Sequence, residues 1–234
     1  MPALNERNGA CSADAVLKAF DQRRTALDDL KETTEKLLAR FLKEKNLLFQ
    51  SIQSRVKDRE KLKVKYIDPQ KDYLSFEDIP DVVGFRIITY YLEDIDYVSQ
   101  ILRSEFEVIG KPDDKRFVNA ETIGQFGYSA YHIDCRYSTA RLQQTEYKRF
   151  RDIRFEIQIT TVLGHAWAEI HHASYDRSST SPLEEQRSFR RLAAVLELAD
   201  TEFSRIREEK RKRELFEDVR QEVNLTLPIF GEQS

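Results

Sequence analysis

The sequence predicts an α+β protein, a β-sheet flanked by helices with long helices at both ends. Three observations predict it. Apolar and polar residues alternate along Phe155-Glu156-Ile157-Gln158-Ile159, the period of two of a strand with one face in a core. Tyr131, Ile133, Cys135 and Tyr137 alternate in the same way with His132, Asp134 and Arg136. Helical spacing runs through Phe20, Leu27, Leu30, Leu37, Leu38, Phe41 and Leu48, and again through Leu192, Val195, Leu196, Ala199, Phe203 and Ile206.

The elements follow in order. Residues 1–11 read as disordered, and Ser12 to Phe49 as one long helix or two with a charged outer face. Between 55 and 65 stand six basic residues against two acidic ones, a local charge of +4 in a chain whose net charge is −3. If 58–66 is helical, Lys57, Lys61 and Lys65 share one face and suit a polyphosphate; a merely solvated helix is the alternative. Asp68-Pro69-Gln70-Lys71 is a turn, and Val82 to Tyr91 is rich in β-formers and reads as a central strand, with Asp81 at its entry after Pro80. Asp94 is the expected N-cap of a helix using Ile95, Val98, Ile101 and Leu102. Residues 106–125 are less regular, 127–137 form another strand, and a charged segment at 141–153 leads to the Glu156 strand. Pro182, after Ser181, opens the last long helix. The chain thus divides into an N-terminal helical extension (1–49), a central domain (50–180) and a C-terminal helical extension (181–234).

Composition narrows the class. Hydrophobic residues make up 40%, enough for a core, and charged residues 34%, which suits long solvated helices. Global charge gives no case for nucleic acid. Cys11 and Cys135 lack metal-type spacing, which fits a reduced, cytoplasmic protein. Met1 to Phe20 has no apolar signal core, and no stretch approaches membrane-spanning length.

Chemistry gathers on the polar faces of the strands. A mid-strand carboxylate such as Glu156 is costly unless it meets water, a cation or a metal; Arg136 and Arg154 are candidate partners. Two carboxylates, Asp81 and Glu156, on separate strands can hold Mg²⁺ while neighbouring Lys and Arg hold phosphates. Phosphoryl-type transfer is mostly positioning and charge neutralisation, so it needs such a set. There is no phosphate-binding glycine loop and no dinucleotide-binding glycine pattern. His165, Glu169 and His172 share a helical face; the two-histidine metalloprotease motif is missing, so a role in orienting partners by hydrogen bonds fits them better than zinc. Trp167 is expected as a core anchor and Cys135 as a buried thiol.

Several motifs together resemble the RelA/SpoT alarmone synthetases. They are Arg55-Val56-Lys57, Asp81-x-x-Gly84-x-Arg86-Ile87-Ile88, Gly127-Tyr128-x-x-x-His132, Phe155-Glu156-Ile157-Gln158-Ile159 and His165-Ala166-Trp167-Ala168-Glu169-Ile170-x-His172, with Leu192 to Asp200 resembling a following helix. Their order and spacing match across roughly residues 50–205. The resemblance implies a nucleotidyltransferase-like mixed sheet and a small, single-domain synthetase at 50–180. It implies a GTP pyrophosphokinase-like activity: Mg²⁺-dependent transfer of pyrophosphate from ATP to the 3′-hydroxyl of GTP or GDP, giving (p)ppGpp. By resemblance Asp81 and Glu156 are the catalytic and metal positions, with Glu156 completing the metal site or activating the hydroxyl. Arg55 and Arg86 would sandwich adenine, Lys57 and Lys65 would contact phosphates, and Tyr128, His132 and Gln158 would hold the acceptor.

The chain also departs from the family pattern. Many members carry Lys and Asn where this chain has Gly124 and Phe126, Ser where it has Ala130, and Arg where it has Thr160. No hydrolase His-Asp pair precedes the synthetase region, so no alarmone hydrolysis is expected. Toxic members of the family modify the 3′ end of tRNA, and Lys148, Arg149, Arg151 and Lys210 to Arg213 allow that alternative, with an antitoxin as partner. A non-catalytic nucleotide sensor is the third reading, and the presence of both Asp81 and Glu156 argues against it. A homo-oligomer is compatible with every reading.

Overall fold

The computed structural model describes residues 11–68, 71–114, 130–174 and 183–226, with side chains described to 220. A mixed sheet of six strands forms the centre: β1 (Phe49–Val56), β2 (Val83–Thr89), β3 (Phe106–Val108), β4 (Asp113–Asp114), β5 (Tyr131–Tyr137) and β6 (Phe155–Thr161). The order is β1-β2-β6-β5-β3, with β4 also on β5. Among the described residues, only the β2–β6 pairing is parallel. Helices are α1 (Ala13–Glu44), α2 (Arg59–Ile67), α3 (Leu92–Glu105), α4 (Thr139–Leu142), α5 (Val162–Ser174) and α6 (Leu183–Thr226). The mixed sheet and the long terminal helices are those expected from the sequence.

The alternation dictates the two faces of the sheet. Phe85, Ile87, Ile133, Cys135, Phe155 and Ile157 are buried on one side, against apolar residues of α1 and α3. Phe155 is the hub: its ring meets Phe85, Phe106 and Tyr137 at centroid distances of 5.7, 5.4 and 5.7 Å. Tyr137 donates or accepts a 2.7 Å hydrogen bond with Thr34 of α1, so the long helix is locked to the sheet by a satisfied polar pair inside the apolar layer. Cys135 is a buried free thiol, as expected.

Several local expectations change. The N-terminal helix stops at Glu44, and Asn46 takes a left-handed φ of 52°. Leu48, expected on its apolar stripe, is exposed, and the chain turns into strand β1 instead. That strand hid in the sequence because its register shifts between Phe49 and Ser51, which breaks the alternation. Near the N-terminus, Cys11 is tied down: its N–H donates to Leu74 O at 2.8 Å, and its carbonyl accepts from Tyr66 Oη at 2.7 Å. The helix after β2 is capped at Tyr91; Asp94 lies buried in its first turn and pairs with Arg207 at 2.7 Å. The less regular stretch after 105 contains β3 and β4, and the charged connector contains α4 and a 3-10 turn at Lys148–Phe150. The turn at 69–70 and the residues Ser181-Pro182 lie outside the described residues.

The last helix docks by a different face from the one expected. Leu192, Val195, Phe203 and Ile206 are more than half exposed. Ala193 and Asp200 are the buried positions, with Ser204 and Arg207 bonded to the start of α3. Specific polar pairs fix this face, and apolar periodicity cannot see them. Thr161 Oγ1 donates to Asp200 Oδ2 at 2.5 Å, and burial pushes the Asp200 carboxyl up to about 7. Its folded value exceeds the unfolded 3.8, so its contribution to stability is complete below about pH 3.8 and is lost as pH rises through about 7. Melting temperature should therefore decline over that window, and Asp200→Asn should flatten the decline. An unchanged pH slope in thermal melts of the variant would remove Asp200 from this role.

Candidate active site

The polar face of the sheet carries two rows of side chains set by strand register. Arg55 pairs with Gly84, Gly84 with Glu156, and Glu156 with Asp134. One step along, Gln53, Arg86, Gln158 and His132 form the second row. Directly paired residues project from the same face, so a single surface collects groups from four strands. Among the described residues, a Cβ on Gly84 would meet nothing within 4 Å, which leaves open space in the first row between Arg55 and Glu156.

Glu156 is held as an anion. His132 Nδ1 lies 3.0 Å from its Oε1, and Gln158 Nε2 donates to Oε2 at 2.6 Å. Burial alone would push its carboxyl up, but the hydrogen bond and charge of His132, with Gln158 and Lys65, outweigh that and hold it at about 2. The sequence offered Arg136 or Arg154 as its partner; the structure gives those to Glu107 and Asp134, the latter at 3.3 Å. Asp134 itself is shifted the other way, raised by burial and by the neighbouring Glu156. Sequence reasoning placed Asp134 on the polar face but not beside Glu156, because nothing local encodes register.

Asp81 receives two ammonium groups on one oxygen. Lys57 Nζ and Lys65 Nζ lie 2.5 and 2.7 Å from Oδ2. Local structure explains the convergence. The Lys57 N–H donates to Val82 O at 2.8 Å, which places the end of β1 beside the entry to β2. Asp58 then caps α2 through the N–H groups of Glu60 and Lys61, and the helix carries Lys65 back over Asp81. Lys61, expected on the same face, points to solvent instead: Lys57 precedes the helix, so the i, i+4 series does not apply to it. Burial lowers the Lys57 pKa. Burial opposes Lys65 as well, but its bond to Asp81 prevails and raises it. Among the described residues, Asp81 Oδ1 is buried with no hydrogen-bond partner. Lys65 acts on both Asp81 and Glu156, and both carboxylates act on Asp134, so the two acids share one electrostatic cluster.

Arg86 is fixed by its surroundings. It donates to Gln158 Oε1 at 3.2 and 3.3 Å and to Glu169 at 2.8 Å, and lies 3.2 Å from His165 Nδ1. Gln53, which the sequence did not single out, reaches His165 Nε2 at 3.3 Å. His165 and Glu169 thus orient an arginine through hydrogen bonds. His172 is not part of that set; its ring lies beside His171. Trp167 is half-buried and stacks on His171 at 4.6 Å rather than anchoring the core. Tyr128, Gly124 and Phe126 lie outside the described residues.

The family model described as the region found in RelA / SpoT proteins matches residues 54–180. The chain belongs to the RelA/SpoT family. That match runs from the end of β1 past α5, so every residue of both rows except Gln53 falls within it. A curated relative, GTP pyrophosphokinase YjbM of Bacillus subtilis (strain 168), is 29% identical over 138 residues, 58% of this chain. The chain spans 61% of the length of that relative. Among solved structures, small alarmone synthetase 1 from Bacillus subtilis superposes with a TM-score of 0.64 at 24% identity, covering 83% of this chain and 97% of that one. The same synthetase bound to its product pppGpp gives 0.59 at 23%, over 83% and 97%. At these identities the likeness is one of fold.

Proposed function

We propose that this RelA/SpoT member is an ATP-dependent pyrophosphotransferase whose acceptor is the 3′-hydroxyl of GTP or GDP. The observation that carries the reading is the cluster of Asp81, Lys57 and Lys65 beside an ionised Glu156. It supplies both signs of charge at close quarters, as a metal–triphosphate complex requires. The curated relative is named a GTP pyrophosphokinase, and a fold relative is solved with pppGpp, which supports the guanosine acceptor.

Asp81 and Glu156 fit Mg²⁺. Oδ1 of Asp81, buried and without a partner among the described residues, calls for a cation, and the space that those residues leave at Gly84 offers room beside Glu156. When bound, the ion would neutralise charge on phosphate oxygens. Glu156, held as an anion by His132 and Gln158, is suited to binding a cation. Lys57 and Lys65 then have the triphosphate as a second anion to neutralise. Arg55 and the braced Arg86 flank the face and hold the adenine, while His132 and Gln158 face the acceptor. The acceptor oxygen bonds to the β-phosphorus of ATP, the bond from that phosphorus to the bridging oxygen of the α-phosphate breaks, and AMP leaves with the electron pair of that bond while the hydroxyl proton passes to solvent water. Positive groups near the bridging oxygen stabilise its growing charge.

Incubating the purified chain with Mg²⁺, ATP labelled at its β- and γ-phosphates, and GDP, GTP or tRNA tests the acceptor. Label on GDP or GTP is expected. Label on tRNA alone would replace the acceptor in this reading.

A further inference from the structure

A cavity of about 330 Å³ opens between α1 and the Lys148–Phe150 turn, away from the catalytic face. Arg23, Lys148, Arg149 and Arg151 line it against one carboxylate, Asp152. None of the residues assigned above to metal, ATP or the guanosine acceptor belongs to it, and its Lys148, Arg149 and Arg151 are basic residues that the tRNA alternative would use. We propose that this cavity is a second anion site, suited to a compact polyphosphate: inorganic pyrophosphate or the phosphate tail of a nucleotide.

Four cations meet one carboxylate in the lining, in a chain that as a whole carries −3. Two of them are braced in advance. Arg23 pairs with Glu77 at 2.7 Å and lies 5.2 Å over the Phe76 ring. Arg149 pairs with Asp29 at 2.7 Å and lies 4.8 Å over the ring of Phe150, itself fully buried. Pre-positioned guanidinium groups lose little freedom when they bind an anion, and their planar forks match phosphate oxygens. Lys148 and Arg151 have no carboxylate within salt-bridge distance among the described residues and are exposed. They are free to complete the shell.

The size of the cavity favours a compact ligand over a long one. The volume is at the lower end of small-molecule sites.

The test is an amide NMR titration of the full ¹⁵N-labelled chain with sodium pyrophosphate and, separately, with ATP. The active site also attracts these anions, but amide positions separate the two locations. Shifts at residues 23–26 and 148–153 should saturate, and the exposed double variant Lys148→Glu/Arg151→Glu should need roughly tenfold more ligand or beyond, as expected for lost charge-assisted hydrogen bonds. Saturation by ATP at lower concentration than pyrophosphate assigns the site to a nucleotide; the reverse assigns it to the free polyphosphate. Three results would overturn the proposal: shifts that sodium chloride reproduces at equal ionic strength, shifts untouched by the double variant, or displacement of pyrophosphate by a single-stranded RNA at lower concentration with a steep salt dependence.

Discussion

Glu156→Gln and Asp81→Asn are each expected to leave the protein folded and to cut pyrophosphate transfer by roughly 10³-fold, the equivalent of several kcal/mol of lost charge stabilisation in the transition state. Both changes conserve size and remove one negative charge. Glu156→Gln leaves a neutral amide facing His132 and Gln158, which were arranged around an anion. Asp81→Asn leaves Lys57 and Lys65 side by side without their shared carboxylate. Binding of Mg²⁺ should weaken in both variants, read independently of turnover by calorimetry with the non-hydrolysable complex of Mg²⁺ and an ATP analogue. Folding is checked by circular dichroism and thermal melting. Wild-type turnover in a folded Glu156→Gln protein would sink the assignment of this face as the catalytic one.

Phe155→Ala, one residue earlier, should do the opposite: it should destabilise the fold by about 3–5 kcal/mol, the cost of emptying an aromatic site in a packed core. The ring is fully buried and joins aromatic residues of β2, β3 and β5. Little can collapse into the space, because its neighbours are themselves rings held by one another and by the Thr34–Tyr137 bond. Denaturant unfolding monitored by circular dichroism measures the loss. Any loss of transfer in this variant should track the unfolded fraction. A drop below about 1.5 kcal/mol, the level of a conservative core swap, would mean that the aromatic hub is not the centre of the core. The two neighbouring substitutions thus separate the faces of one strand, stability on one side and chemistry on the other.

That division was legible in the sequence. Alternation at 131–137 and 155–159 set which residues face the core and which face the polar side, and the buried set matches it. The residue types also pointed to phosphate and metal chemistry, since Asp81, Glu156 and the basic run at 55–65 have few other uses in combination. These properties are local: a period, a cap, a charge density, each readable within a few residues. The tertiary structure decided the rest. Strand register put Gly84 and Asp134 on either side of Glu156, and a single-residue slip would have moved them to the other face. The end of β1 and the cap of α2 brought Lys57 and Lys65 to one oxygen of Asp81 and turned Lys61 away. Helix α6 chose its polar side because Asp200 and Arg207 find partners on β6 and α3, leaving an apolar stripe in solvent. These outcomes depend on contacts between residues tens of positions apart, where the free energy of a paired polar group or a filled register exceeds any local preference, and no local pattern carries that information.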